Sequence, residues 1–384
     1  MMENYYLTAE SVTPGHPDKV ADAISDAVLD KVLEQDKSGR VACEVLVGRG
    51  YVVVSGEITT TGYVDIQEIS RETIKKIGYT KPEYGFDFRT VAVFNVINEQ
   101  SPDIAQGVKE TGAQEQGAGD QGSMIGYASK ETKELMPLPI SLAHKLVKQL
   151  VKVREEKVIP YLRPDGKSQV IIEYQDNKPK RLDSVIIAAQ HDPDVEAEKI
   201  QQDIIAEVIK PICSSLLDND TKYYINNTGR FVIGGPVSDT GMTGRKNVVD
   251  AYGPQIPTGG GAFSGKDPTK VDRSAAYMAR YIAKNIVATD LVENCKVELS
   301  YAIGSSEPVS INIQTNKPEL DEKFIKIVPQ VFDLTPAGII KELNLLEPIY
   351  SKTTCFGHFG REDNGFNWEK KDKTEKLIQA LNSV

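Results

Sequence analysis

The residues from Gly259 to Asp272 read Gly-Gly-Gly-Ala-Phe-Ser-Gly-Lys-Asp-Pro-Thr-Lys-Val-Asp and carry the densest chemistry in the chain. Three consecutive glycines bring bare backbone N–H groups close to an oxyanion, because no Cβ stands in the way. Lys266 and Lys270 add point positive charges, and Asp267-Pro268 reads as a helix start that aims a positive dipole end at the same place. The combination is that of a polyphosphate cradle. Gly260, Gly265 and Lys266 fall in the register of a P-loop, which leaves a P-loop ATPase or kinase as an alternative. Two features oppose it: Asp267 follows the lysine where a P-loop has Ser or Thr for magnesium, and no buried apolar strand runs into the glycines. The bland alternative is a flexible surface loop, and the charges of Lys266, Asp267, Lys270 and Asp272 speak against it.

Other candidate groups are scattered. In Gly15-His16-Pro17-Asp18-Lys19, Pro17 suits the first position of a helix, so His16 and Asp18 project around a helix N-terminus. Asp18, Asp22, Asp26 and Asp30 repeat at i, i+4, where like charges repel unless cations intervene. Asp18, beside a histidine at the helix start, reads either as a solvated acid at a helix cap or as a metal ligand; the later acids read as a solvated helix face. Glu44 and Glu57 lie one in each strand of a hairpin, on its wet face. Arg163-Pro-Asp165-Gly-Lys167 is a turn into a second hairpin. Phe231 lies on a short apolar strand ending in Gly-Gly-Pro236, and Asp239 precedes the adjacent cations Arg245 and Lys246. The polar, glutamine-rich stretch 98–117, with Gln100 near its start and Asp120 just beyond it, reads as an active-site lid. Together these pieces gather Lys167, Arg245, Lys246, Lys266 and Lys270 in a protein of net charge −10, a balance that disfavours non-specific nucleic-acid binding.

With only four histidines, a metal here is held by carboxylate oxygens, as magnesium, calcium or a monovalent cation would be, rather than zinc. Four scattered cysteines without a CxxC pair, no signal-peptide pattern and no membrane-length apolar run point to a reduced, cytoplasmic protein. The 384 residues exceed one ordinary core and imply two or three domains.

The elements that must position these groups recur in order. Helix 17–35 carries Val20, Ile24, Val28 and Val32 on one stripe, followed by hairpin 41–60 and helix 65–77. Helix 141–156, hairpin 168–190 and helix 195–212 repeat the order, as do helix 272–291, hairpin 295–315 and helix 319–332. The expectation is three similar α/β (α+β) helix–hairpin–helix domains, forming a homo-oligomer that packs sheet against sheet.

Six motifs in order, GHPDK (15–19), GAGDQG (117–122), RPDGKSQV (163–170), TGRFVIGGP (228–236), DTGMTGRK (239–246) and GGGAFSGKDPTKVDRSAAY (259–277), resemble the signatures of the methionine adenosyltransferase, or S-adenosylmethionine synthetase, family. The resemblance spans nearly the whole chain; the one departure is DNGFNWEKKDK after Glu362, with no Pro before Trp368, a difference expected to affect surface detail. It implies domains at 3–102, 114–233 and 234–373 related by pseudo-threefold symmetry, and dimers that pair into tetramers with active sites at the dimer interface. The substrates implied are ATP and L-methionine, whose sulfur attacks C5′ of ATP and displaces a triphosphate that is then hydrolysed. His16, Lys167, Arg245, Lys246 and Lys266 would act on the triphosphate, with Ala262 beside it, Phe231 stacked on adenine and Asp165 nearby. Glu57, Gln100, Asp120, Asp239, Lys270 and Ile303 would bind methionine. Asp18 and Asp272 would hold two Mg²⁺ ions, and Glu44 would help seat K⁺.

Overall fold

The computed structural model describes residues 4–99 and 117–383. Helix α1 (Pro17–Gln35) begins where Pro17 supplies a helical φ and His16 caps it, and its Val20, Ile24, Val28 and Val32 are fully buried. It packs on the hairpin β2 (Arg40–Gly48) and β3 (Tyr51–Thr59), followed by α2 (Ile66–Ile77) with Asp65 as its cap and Gly78 in the left-handed conformation at its end. The second hairpin, β6 (Leu162–Gln175) with β7 (Lys178–His191), follows α3 (Leu138–Glu155). The third, β10 (Asn294–Tyr301) with β11 (Ser310–Thr315), lies between α5 (Val271–Ala288) and α6 (Pro318–Val331).

Each hairpin takes a strand from a remote part of the chain. The N-terminal β1 (Asn4–Val12) pairs antiparallel with β6, from Asn4↔Gln175 to Val12↔Lys167. β5 (Gly122–Ser129) pairs with β10, and the two-residue β9 (Gly241–Met242) closes on β2 through Leu46↔Met242 and Val47↔Gly241. β4 (Ala92–Asn98) runs parallel to β3, and the short β8 (Lys222–Ile225) runs parallel to β7. Each of the three sheets is therefore completed by a strand whose partner lies well over one hundred positions away.

Two expected elements shift for local reasons. The expected helix 195–212 is α4 (Ala197–Ile204), a π turn at Ile205–Ile209 and a last turn at Lys210–Cys213. Pro211 has no N–H to offer the carbonyl of Glu207, and that carbonyl instead accepts from Gln149 of α3 at 2.8 Å. The expected helix start at Asp267-Pro268 moves to Val271, with Lys270 as the preceding residue. Asp267 is fully buried and its carboxylate accepts from the N–H groups of Val41 (2.7 Å) and Thr269 (2.9 Å) and pairs with Lys270 Nζ (2.5 Å). The segment around Trp368 is core rather than surface: its indole is fully buried, stacked on Tyr277 and Phe366, and donates to the carbonyl of His358.

Alternation along β2 and β3 sends Val41, Cys43, Val45, Val47, Val52 and Val54 inward. The register leaves Ala42, Glu44, Leu46, Val53, Ser55, Glu57, Phe94, Val96 and Met242 together on the outward face. Phe94, Val96 and Met242 are 54%, 50% and 44% exposed, so this face carries an uncovered apolar patch beside the exposed Glu44 and Glu57 in the single chain.

Candidate active site

At the start of α1, His16 Nδ1 accepts the N–H of Asp18 at 3.2 Å. Burial, aided by the Lys246 charge, pushes the imidazole pKa down to about 3, so the ring is neutral and its proton sits on Nε2. Asp18 is 2% exposed, with Oδ1 accepting from Met242 N–H (3.0 Å) and Oδ2 from Lys246 Nζ (2.5 Å), while Arg245 Nε stands 3.6 Å away. Burial raises its pKa, but the hydrogen bonds from Lys246 and Met242 outweigh burial and keep the group ionised.

The expected solvated face of α1 is buried instead. Asp22 and Asp26 are both fully buried. Asp22 accepts from Gly244 N–H (2.9 Å) and pairs with Lys19 Nζ (2.9 Å), which also contacts Asp250. Asp26 accepts from Gly265 N–H (2.8 Å) and takes both guanidinium N–H groups of Arg273 at 2.7 and 2.8 Å. Asp30, partly buried, accepts from the N–H groups of Tyr350 and Ser351 at 2.8 Å each. The like-charge repulsion within the ladder is relieved by cations and amides from distant segments, not by water.

Lys266 follows Gly265, and its Nζ lies 2.6 Å from Asp272 Oδ2, while Gly261 N–H donates to Asp272 Oδ1 at 2.8 Å. Asp18 and Asp272 thus share one pattern: one backbone N–H and one lysine ammonium on a mostly buried carboxylate. Among the described residues no group of three His, Cys, Asp or Glu side chains is arranged to hold a metal ion. The donors present are hard anionic oxygens, each already paired with a lysine, so a divalent ion held here would need substrate phosphates and water to complete its coordination rather than an all-protein cage.

Ala262 packs near Gly244, where an added Cβ would lie 2.4 Å from the Ala262 Cβ, so the two cationic loops touch. Lys270 is held by Asp267, and Glu44 and Glu57 lie exposed on the outward sheet face, with Lys266 acting on Glu44 and Ala42 between Glu57 and Lys266. Asp120 and Ile303 are exposed on neighbouring loops joined by Gly304 N–H to Ala118 O and Ala118 N–H to Ser305 O, each 2.8 Å. Gln100 and most of the expected lid lie outside the described residues.

Lys167 sits opposite Val12 on β6, 3.7 Å from Glu10, and its charge reaches both His16 and Asp165. Asp165 is buried, its pKa pushed up to about 6 by burial, and its Oδ2 accepts from Gly235 N–H at 2.7 Å. Asp239 is exposed near Asp165. Phe231 is held through its backbone by His191, whose ring Nε2 accepts the Phe231 N–H at 3.1 Å and whose N–H donates to the Phe231 carbonyl. His191 and the buried cations Lys19 and Arg273 carry no local sequence signal for these contacts, because their partners lie far away in the chain.

Two groups emerge: His16, Asp18, Asp165, Lys167, Asp239, Arg245 and Lys246 at the start of α1, and Glu44, Glu57, Lys266, Lys270 and Asp272 farther along β2. Family models for the N-terminal, central and C-terminal domains of S-adenosylmethionine synthetase match residues 4–102, 115–231 and 233–370. The chain is 54% identical over 384 residues to the S-adenosylmethionine synthase of a Nitratiruptor species, covering 99% of each. It is 54% identical to that of a Sulfurovum species, over 99% of this chain and 100% of the relative, and 55% identical to that of Treponema denticola, over 98% of each. Matches to all three domain models in order, together with full-length relatives more than half identical, make the chain a member of the S-adenosylmethionine synthetase family.

Proposed function

We propose that the chain is a methionine adenosyltransferase working through the two groups of site residues. The methionine sulfur attacks C5′ of ATP, the C5′–O bond breaks with its electron pair leaving on the triphosphate, and water then cleaves the triphosphate to pyrophosphate and phosphate. A thioether attacks without losing a proton, so the site needs alignment and charge stabilisation rather than a base. The observation that carries this reading is the neutral His16, fixed through Nδ1 with Asp18, Lys246, Arg245 and Lys167 around it. Its Nε2–H is available to the oxygen that leaves C5′, while Lys167, Arg245, Lys246 and Lys266 hold the phosphates. A P-loop reading is disfavoured: no strand runs into Gly259–Gly261, and Asp267 is committed to Val41 and Lys270.

In this reading Asp18 and Asp272 hold two Mg²⁺ ions, and Glu44 helps seat K⁺. Magnesium supplies further positive charge for the leaving polyphosphate. The exposed apolar patch on the outward face of β4–β3–β2 supports a homodimer built sheet against sheet, with Glu57, Gln100, Asp120, Asp239, Lys270 and Ile303 forming the methionine side of a shared site. Domains at 3–102, 114–233 and 234–373 with pseudo-threefold symmetry, pairing of dimers into tetramers and a cytoplasmic location complete the proposal. No helix among the described residues is long and apolar enough to cross a membrane.

Incubation with ATP, L-methionine, Mg²⁺ and K⁺ yields S-adenosylmethionine, pyrophosphate and phosphate by mass detection. Stoichiometric ADP instead would replace the transferase reading with the kinase one. Inactive Lys167→Met and Asp120→Asn chains, mixed and allowed to exchange, recover roughly a quarter of wild-type sites if the two residues come from opposite protomers.

A further inference from the structure

We infer that Asp22 and Asp26 are positioning residues that set where Arg245 and Lys266 stand over α1. This rests on the reading that those two cations grip the triphosphate. In both cases a carboxylate of α1 accepts the N–H of a glycine, and the next residue is the site cation: Gly244 then Arg245, Gly265 then Lys266. Both glycines are left-handed, with φ of +78° and +80°, and a Cβ at Gly265 would come within 1.9 Å of the Cys43 carbonyl. The loops are pinned on their other side by β2. Thr243 N–H donates to Val45 O (3.0 Å), and Val45 N–H donates to Thr243 Oγ1 (2.8 Å). Cys43 N–H donates to Gly265 O (2.9 Å), and Asp267 N–H donates to Val41 O (3.1 Å).

The spacing explains how one helix and one strand hold two loops alike. Four residues of helix advance about 6 Å and two residues of strand about 6.8 Å, so Asp22 with Val45 and Asp26 with Cys43 form successive rungs of matching height. Charge does not do the positioning. The Asp22 carboxylate is neutralised by Lys19 and that of Asp26 by Arg273, both fully buried, so neither acid competes with substrate for Arg245 or Lys266. Arg273 also donates to the Lys266 carbonyl at 3.3 Å, which holds that residue on both sides. Asp18 and Asp272, which pair directly with site lysines, act differently.

The test compares two double variants that both remove the Lys19–Asp22 pair and leave Asp250, the second partner of Lys19, in the same unpaired state. Lys19→Met with Asp22→Asn keeps an oxygen for the Gly244 N–H; Lys19→Met with Asp22→Leu does not. The Asn form should retain kcat to within about threefold, while the Leu form loses about 100-fold in kcat with the methionine KM little changed. Hydrogen exchange should rise at 241–246 in the Leu form and stay unchanged at 264–267. Equal kcat in two folded double variants overturns the inference. If the Leu form does not fold, exchange in the wild-type protein decides: protected Gly244 and Gly265 amides support the ladder, and exchange at unprotected rates overturns it. Arg245→Leu and Lys266→Leu test the reading beneath it. If they keep kcat, that reading fails; if they lose it while the Leu double variant keeps it, only the positioning role fails.

Discussion

The N-terminal unit inverts the usual distribution of polarity on its two sides. Beneath β2, α1 buries Asp18, Asp22 and Asp26; on the opposite face of the same sheet, Leu46, Val53, Phe94, Val96 and Met242 face outward. A buried carboxylate persists only where cations and N–H groups replace water, and each of these has both. An exposed apolar patch of this kind commonly marks a surface for interaction. The acids are thus matched within the chain, whereas the apolar patch is the surface on which a partner is proposed. The polar side organises the candidate site, and the apolar side is the proposed seat of assembly.

The sharpest way to break the polar side is Asp26→Ala. It strands the buried Arg273 guanidinium and should cost about 3–5 kcal/mol in equilibrium urea unfolding. Asp26→Leu combined with Arg273→Met should cost much less than the sum of the single changes; full additivity would show that the pair is not a unit. On the apolar side, Val96→Lys sets a charge into the proposed interface. At about 3 kcal/mol for an unpaired buried charge, association weakens on the order of 100-fold, read by sedimentation velocity across a concentration series. Unchanged association would remove this face from the interface.

What could be read from sequence divides along the same line. The stripe Val20, Ile24, Val28 and Val32 and the three hairpins were legible because helix and strand periodicities are local. The donated strands β1, β5 and β9 were not, because their pairing is decided by residues far away in sequence. The acid ladder is visible in sequence but reads as a solvated face, since its compensating cation Arg273 lies 247 positions from Asp26. The candidate cations were found by motif; that Asp165 is spent on the Gly235 N–H was not visible in its Pro-Asp-Gly turn.

A smaller effect separates buried charge from buried neutrality. His16 and His144 have pKa values pushed down to about 3 chiefly by burial, and burial pushes His358 well below the ordinary value. The cations Lys246, Lys167, Lys19, Arg361 and Arg273 face one or another of these rings, with Asp18 opposing them at His16. The unfolded chain binds protons below its histidine pKa of about 6.5 and the folded chain does not, so this stability is complete above about pH 6.5 and is lost as pH falls toward 3. His144→Gln should flatten the dependence of unfolding free energy on pH near 5.5 by about one proton, or about 1.4 kcal/mol per pH unit. An unaltered slope would mean that His144 is protonated in the folded protein.

Asp30, the last acid of the ladder, should show the smallest effect. Among the described residues no buried cation pairs with it as Lys19 and Arg273 pair with Asp22 and Asp26, and it caps the turn at Tyr350 through two backbone N–H groups. Burial raises its pKa, and the hydrogen bonds from Ser351 and Tyr350 only partly oppose this. Asp30→Asn keeps one acceptor and turns an NH₂ toward the other N–H, a loss of about 1 kcal/mol. The pH dependence carries a sign. With the folded pKa above the unfolded value of about 3.9, the wild-type contribution is largest below that value and declines as pH rises through the folded pKa. The stability difference between wild type and Asp30→Asn, taken from paired urea titrations so that other titrating groups cancel, should therefore shrink from pH 4 toward neutrality. A difference that grew with pH would show that the carboxylate is better housed ionised, as Asp18 is, and that the ladder keeps its site-like character to its far end.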